Sequence, residues 1–268
     1  MILFFQELLL FAATQLIGIF VVLKGQTLIK EQIIVDFSVG EVVFSLIFLA
    51  VFIYFARNFR KSAFFFRLIL SLAIFSGSQT VFSLISNESV FSTFAAVLLA
   101  FGVLKAKIVL LHNIGIVLAL AGIGAVLGMS FAPLPVIILL LVLSFYDIVA
   151  VYKTGHMVKM AEDMIKSKAI FGFVIPQKLQ GWKENLKNVR PGEEFMILGS
   201  GDIVMPLLLI ASVIGFHGLA HGLVVFLFSI FGLFLTYYLF IIQKTRRPMA
   251  ALPPIAVMSI IGYLISLI

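Results

Sequence analysis

Two aspartates stand alone in long apolar stretches of this 268-residue chain, Asp147 within 133–152 and Asp202 within 195–215. A carboxylate at the centre of a membrane helix costs about 2.5–3.5 kcal/mol on insertion scales, so such a residue calls for a function and a partner. Asp147 lies six residues before Lys153 and Asp202 eight residues after Glu194. At about 1.5 Å per helical residue, both sit roughly 9–12 Å below the same boundary, on antiparallel helices joined there. Two carboxylates held close cannot both ionise easily; one keeps a proton while its partner is free to accept one. Such a pair titrates as a unit. It can activate a water and protonate a leaving amide nitrogen, which is hydrolysis of a peptide bond. Intramembrane acids equally serve as proton or cation relays, and the pair alone fits either chemistry.

Other residue types narrow the field. There is no His-Glu-x-x-His run for a zinc protease. Gly199-Ser200-Gly201 lacks the Gly-x-Ser-x-Gly arrangement of a serine nucleophile, and the chain has no cysteine, so thiol chemistry and disulfides are excluded. His217 and His221, four apart, read as interface histidines beside Gly218, and His112 and His156 as isolated residues near the other face. Glu7 reads as a terminal interfacial residue and Gln15 as a polar packing contact. Gly124-x-x-x-Gly128 and Ala121-x-x-x-Ala125 read as helix packing. Gly199 and Gly201 strip side chains from beside Asp202, so that a helix or a peptide backbone can come close. Tyr146 could offer a hydroxyl near Asp147, although adjacent helical residues face different ways. Pro248, Pro253 and Pro254 bracket Ala250, Ala251 and Leu252 at a similar depth; prolines free backbone groups there, tolerable only against protein or a cavity.

The elements that must position these residues are membrane spans. The chain is 62% hydrophobic and 12% charged, the balance of an all-α polytopic membrane protein. Hydropathy gives nine spans, 2–23, 39–56, 63–85, 90–104, 108–131, 133–152, 195–215, 219–242 and 248–267, the first read as a retained span. Of 19 Lys and Arg, 17 fall in alternate connections, which the positive-inside rule makes cytoplasmic. The N-terminus is then inside and the C-terminus outside, and the net charge of +7 is accounted for without nucleic acid. The chain divides into spans one to six (1–152), a cytoplasmic loop (153–194) and spans seven to nine (195–268). Within the loop, Met157, Met160, Ala161, Met164 and Ile165 follow helical spacing, an amphipathic surface helix. The run from Ala169 to Pro176 is either a loop lying on the headgroups or a strand that pairs with a peptide.

Tyr146-Asp147, Gly199-Ser200-Gly201-Asp202 and Ala251-Leu252-Pro253, in that order on spans six, seven and nine, resemble the Tyr-Asp, Gly-x-Gly-Asp and Pro-Ala-Leu signatures of the presenilin and signal peptide peptidase family. The family's proline before Ala-Leu is Ala250 here. The resemblance implies a nine-span intramembrane aspartyl endopeptidase with Asp147 and Asp202 catalytic and Leu252 and its neighbours holding substrate. It implies no metal or organic cofactor. Its partners would be single-span membrane proteins and lipids, with accessory subunits left open. The cytoplasmic loop between spans six and seven is similar to the presenilin orientation rather than the inverted one, and the small size and short loop resemble a prokaryotic, archaeal-type homologue in a cell membrane. The rival is a carboxylate-lined ion pathway; the sequence shows no repeat with paired broken helices, which such transporters commonly carry.

Overall fold

A computed structural model of the chain describes residues 2–28, 63–86, 88–154, 164–167, 169–190, 194–243 and 248–268. The expected second span, His156 and most of the expected amphipathic surface helix lie outside the described residues. Each of the remaining eight expected spans contains a helix: α1 Ile2–Leu28, α2 Ala63–Ile85, α3 Ser89–Ala106, α4 Val109–Met129, α5 Pro133–Ile148, α6 Ser200–His217, α7 Leu219–Ile242 and α8 Leu252–Ser266. Seven of them are long and apolar enough to cross a membrane; α8 is a shorter apolar helix. In lipid each backbone polar group must be satisfied within the protein, which is why these sequences form helices. Pro133 opens α5 and Pro253 falls in the first turn of α8, where a missing amide costs no helical bond.

α4 is the hub, packing against α1, α2, α3 and α6. The packing expected of Gly124 and Gly128 is realised on its α6 side: a Cβ on Gly124 would meet Leu207 and Val204, and one on Gly128 would meet Ala211 and Leu208. Absence of both side chains lets the helix that carries Asp202 lie close against the hub.

The run 195–215 is not one helix. Its first five residues form a strand, β2 (Phe195–Gly199), antiparallel to β1 (Gly172–Pro176), with Gly172 opposite Gly199 and Pro176 opposite Phe195. The β-branched and aromatic residues Phe173, Val174 and Ile175 favour this pairing. β1 is thus neither a headgroup loop nor a strand left free for a peptide; it is buried along its whole length and paired within the chain. Phe173, Ile175 and Leu198 pack among Leu10, Phe11, Ile116, Ile203 and Ile255, wedging the sheet between α1, α4, α6 and α8.

Side chains of α4 seal the second edge of β1. Asn113 Nδ2 donates to the Val174 carbonyl at 2.7 Å, and the Val174 amide donates back to Asn113 Oδ1 at 2.9 Å. His112 Nε2 donates to the Gly172 carbonyl at 3.1 Å. His112 is therefore a buried structural donor rather than an isolated residue near the surface. Non-helical backbone at membrane depth survives only where protein satisfies it in this way.

Candidate active site

Asp147 is the penultimate residue of α5, followed by a π-helical turn over Val149–Lys153. Only 5% of it is exposed, whereas Tyr146, turned the other way around the helix, is 51% exposed. The structure therefore does not bring the Tyr146 side chain onto the buried face that carries Asp147. The wider i to i+5 turn beyond Asp147 is a feature found often at functional sites.

Asp202 occupies the third position of α6, whose N-cap is Gly199. Its carboxylate turns back toward Gly199, in the arrangement of the acidic half of a capping box. A Cβ on Gly199 would stand 3.1 Å from Asp202 Oδ2, so glycine leaves the carboxylate its place. Gly201 meets nothing within 4 Å of a built Cβ and faces open space beside the acid. Ser200 is half-buried, and its amide donates to the Phe171 carbonyl at 3.1 Å, extending the β1–β2 ladder into the helix start. Asp202 does not lie eight helical residues from the boundary: five of the eight residues leading to it are extended, so 1.5 Å per residue does not measure their path.

The third element is the stretch before α8. Residues 248–251 are not helical, and α8 begins at Leu252. The Leu252 amide, an otherwise unpaired donor of the first helical turn, donates to Asp147 Oδ2 at 3.3 Å. Thr236 of α7 donates to the Ala251 carbonyl at 3.3 Å and fixes the turn from the other side. Ala250 and Leu252 are buried, Ala251 and Pro253 half-buried. The Asp147 and Asp202 carboxylates lie within electrostatic range of each other. Residues from spans six, seven and nine thus meet at one point. Each carboxylate faces a backbone amide at a helix N-terminus, where the macrodipole favours negative charge.

The match of the whole chain to known proteins decides what this constellation belongs to. The family model described as signal-peptide peptidase, presenilin aspartyl protease matches residues 4–268. The chain belongs to that family. Two solved structures, each of a presenilin-family intramembrane aspartate protease, share its fold. The one in space group C222 has a TM-score of 0.68 at 23% identity, covering 98% of both chains. The one in space group P2 has a TM-score of 0.63 at 23% identity, covering 97% of this chain and 95% of that one. No curated protein matches the chain. The protein is a multi-pass membrane peptidase of the aspartyl class, and nothing in the family or the fold favours the ion-pathway reading.

Sequence reasoning passed over Thr236 and Asn113 and read His112 as isolated. Thr236, His112 and Asn113 hold the backbone of the site, and Glu7, read as interfacial, is only 2% exposed. The signal for Glu7 was present in the sequence: it is a lone acid in an apolar run, the criterion that singled out Asp147 and Asp202.

Proposed function

We propose that Asp147 and Asp202 are the catalytic pair with which this intramembrane aspartyl protease hydrolyses peptide bonds inside transmembrane segments. The observation that carries the reading is the bond from the Leu252 amide to Asp147 Oδ2, with the Asp202 carboxylate near enough for the two charges to act on each other. One carboxylate, ionised, takes a proton from water as the water oxygen attacks the scissile carbonyl; the other, protonated, polarises that carbonyl oxygen. Proton return to the amide nitrogen then releases the two products. The Leu252 amide holds Asp147 in place. Gly199, Ser200 and Gly201 start the helix that presents Asp202, and Ala250, Ala251 and Pro253 shape the neighbouring turn.

Substrate must be extended to expose a carbonyl, and its freed backbone groups then need partners. The β1–β2 ladder and the α4 side chains occupy both edges of β1. In the antiparallel register Ile197 turns its amide and carbonyl away from β1, and β2 runs directly into Gly199 and Asp202. The outer edge of β2 is therefore the place for an extended single-span substrate to add as a strand. The basic connections set the orientation, with the N-terminus and the 153–194 loop cytoplasmic, the C-terminus outside and the cell membrane as the site of action.

The test is cleavage of a labelled single-span peptide by purified protein in detergent, with products mapped by mass spectrometry. Asp147→Ala, Asp202→Ala and the two Asn variants should each abolish cleavage and still yield folded protein. A single variant that retains more than a few per cent of wild-type activity would overturn the pair.

A further inference from the structure

α1 carries polar side chains into the core that packing alone does not explain. Glu7, Gln6 and Gln15 are 2%, 6% and 0% exposed on a helix otherwise made largely of Leu, Ile, Phe and Ala. Glu7 Oε2, both amide atoms of Gln6 and Oε1 of Gln15 have no hydrogen-bond partner among the described residues. A buried polar atom left unpaired costs about 1–3 kcal/mol, and a leucine at position 7 would match Leu3, Leu8 and Leu10 in its surroundings. The cost is incurred next to the catalytic elements. Gln15 Nε2 donates to the carbonyl of Ile203, the residue after Asp202, at 2.9 Å. Leu10 and Phe11 join the cluster that includes Phe173, Leu198, Ile203 and Ile255, with Leu3 and Ala251 packed against it. Glu7 stands one turn from both Leu3 and Phe11, and so on the face of α1 that packs toward Ile203 and Ala251, where the charge of Asp202 acts on its carboxyl.

We propose that Glu7 is a positioning residue for the catalytic pair: a third acid, delivered by α1, that shares the proton balance of Asp202 and, with Gln6 and Gln15, forms the polar wall through which protons and water reach it. The inference rests on the assignment of Asp147 and Asp202. An acid that interacts with Asp202 loses its proton together with it rather than alone, so the fraction of enzyme with a singly protonated pair depends on Glu7. The other titratable or charged groups on elements packed against α1 are His112 on α4, Arg67 on α2, His217 on α6, and His221, Tyr237 and Tyr238 on α7. His112 Nε2 is engaged by the Gly172 carbonyl, the Arg67 Nε–H by the Ser167 carbonyl at 3.0 Å, and His217 by Tyr263 at the far end of α6.

The experiment compares Glu7→Gln, Glu7→Asp and Asp202→Asn with wild type, measuring kcat and KM for the single-span peptide across pH and thermal unfolding at each pH. Glu7→Gln keeps the shape and removes the titrating proton. Only an ionised Glu7 opposes ionisation of the pair, so its loss should move the alkaline limb of the kcat profile to lower pH by about half a unit or more, with the acidic limb and KM little changed. Glu7→Asp keeps an acid on a shorter arm and should restore most of the profile; it also carries the test if Glu7→Gln folds poorly, since a side chain that only packs would not restore a pH midpoint. Profiles of both folded variants that superimpose on wild type, with Asp202→Asn inactive, overturn the role of Glu7 and leave the pair intact. An active Asp202→Asn overturns the pair itself.

Discussion

Asn113 offers the sharpest test of how the site is held. Its side chain does for β1 what another strand would do, accepting from the Val174 amide at 2.9 Å and donating to the Val174 carbonyl at 2.7 Å. Val174 and Asn113 are both fully buried, so Asn113→Ala strands two backbone groups without access to water. At about 1–3 kcal/mol for each unsatisfied buried group, the loss is about 2–6 kcal/mol, a large part of the stability of an ordinary domain. Asn113→Asp retains the acceptor for the amide but presents oxygen to the carbonyl, so it keeps one bond and creates a repulsion. It should destabilise too, even though the side chain keeps its size. The assay is thermal unfolding in detergent followed by peptide cleavage at a temperature where each variant remains folded. β1 should loosen from α4, β2 should move with it, and cleavage should fall by about tenfold or more, because small displacements of catalytic groups are costly. An Asn113→Ala protein within about 0.5 kcal/mol of wild type, the range of an ordinary surface change, would refute the claim that this side chain caps the strand.

Two further outcomes are open to measurement. Ile197→Pro removes an outward-facing amide from β2 while sparing the bonds to β1; it should lower cleavage at limiting substrate about fivefold, the worth of one hydrogen bond of about 1 kcal/mol, with little change in kcat. Unchanged cleavage would mean that substrate does not add to this edge. Because the chain has no native cysteine, single cysteines at Lys187 and Glu88, both exposed, can be labelled against a clean background. Lys187→Cys should react from the cytoplasmic side and Glu88→Cys from the other, and the reverse result would invert the topology.

The spans were legible because hydropathy and helix length answer to a single demand, that backbone in lipid satisfy itself. The two aspartates were legible because charge is costly in the same medium. What hydropathy could not show was the change of backbone state within 195–215, since Phe-Met-Ile-Leu is as apolar as the helix that follows it. The partner that makes a strand there possible, β1, lies about two dozen residues away in a connection that reads as polar loop. The edge cap formed by His112 and Asn113 was hidden for a related reason. Two polar residues at the start of a span look like an interface, and only the tertiary structure places a strand edge opposite them. Glu7 reads as interfacial because it lies near the N-terminus, whereas the folded protein buries it.

The unforeseen strand also changes the energetics of the acid it precedes. At the centre of a continuous helix, Asp202 would face amides already spent on intrahelical bonds. With β2 ending at Gly199, it instead stands in the first turn of α6, where amides are unpaired and the carboxylate faces that of Gly199. Asp147 gains the same kind of partner from the first amide of α8, because residues 248–251 keep that helix from starting sooner. Two helix starts thus supply two donors, each worth about 1.5–3 kcal/mol to an ionised acceptor and together comparable to the cost of holding a charge at this depth. The interruption that provides the donor for Asp202 also turns one strand edge outward beside it. Extending α6 back through 195–199 would remove both at once: the acid would lose its amide and the substrate its edge. The catalysis proposed for this pair therefore depends on the chain leaving the helix where hydropathy alone would have it continue.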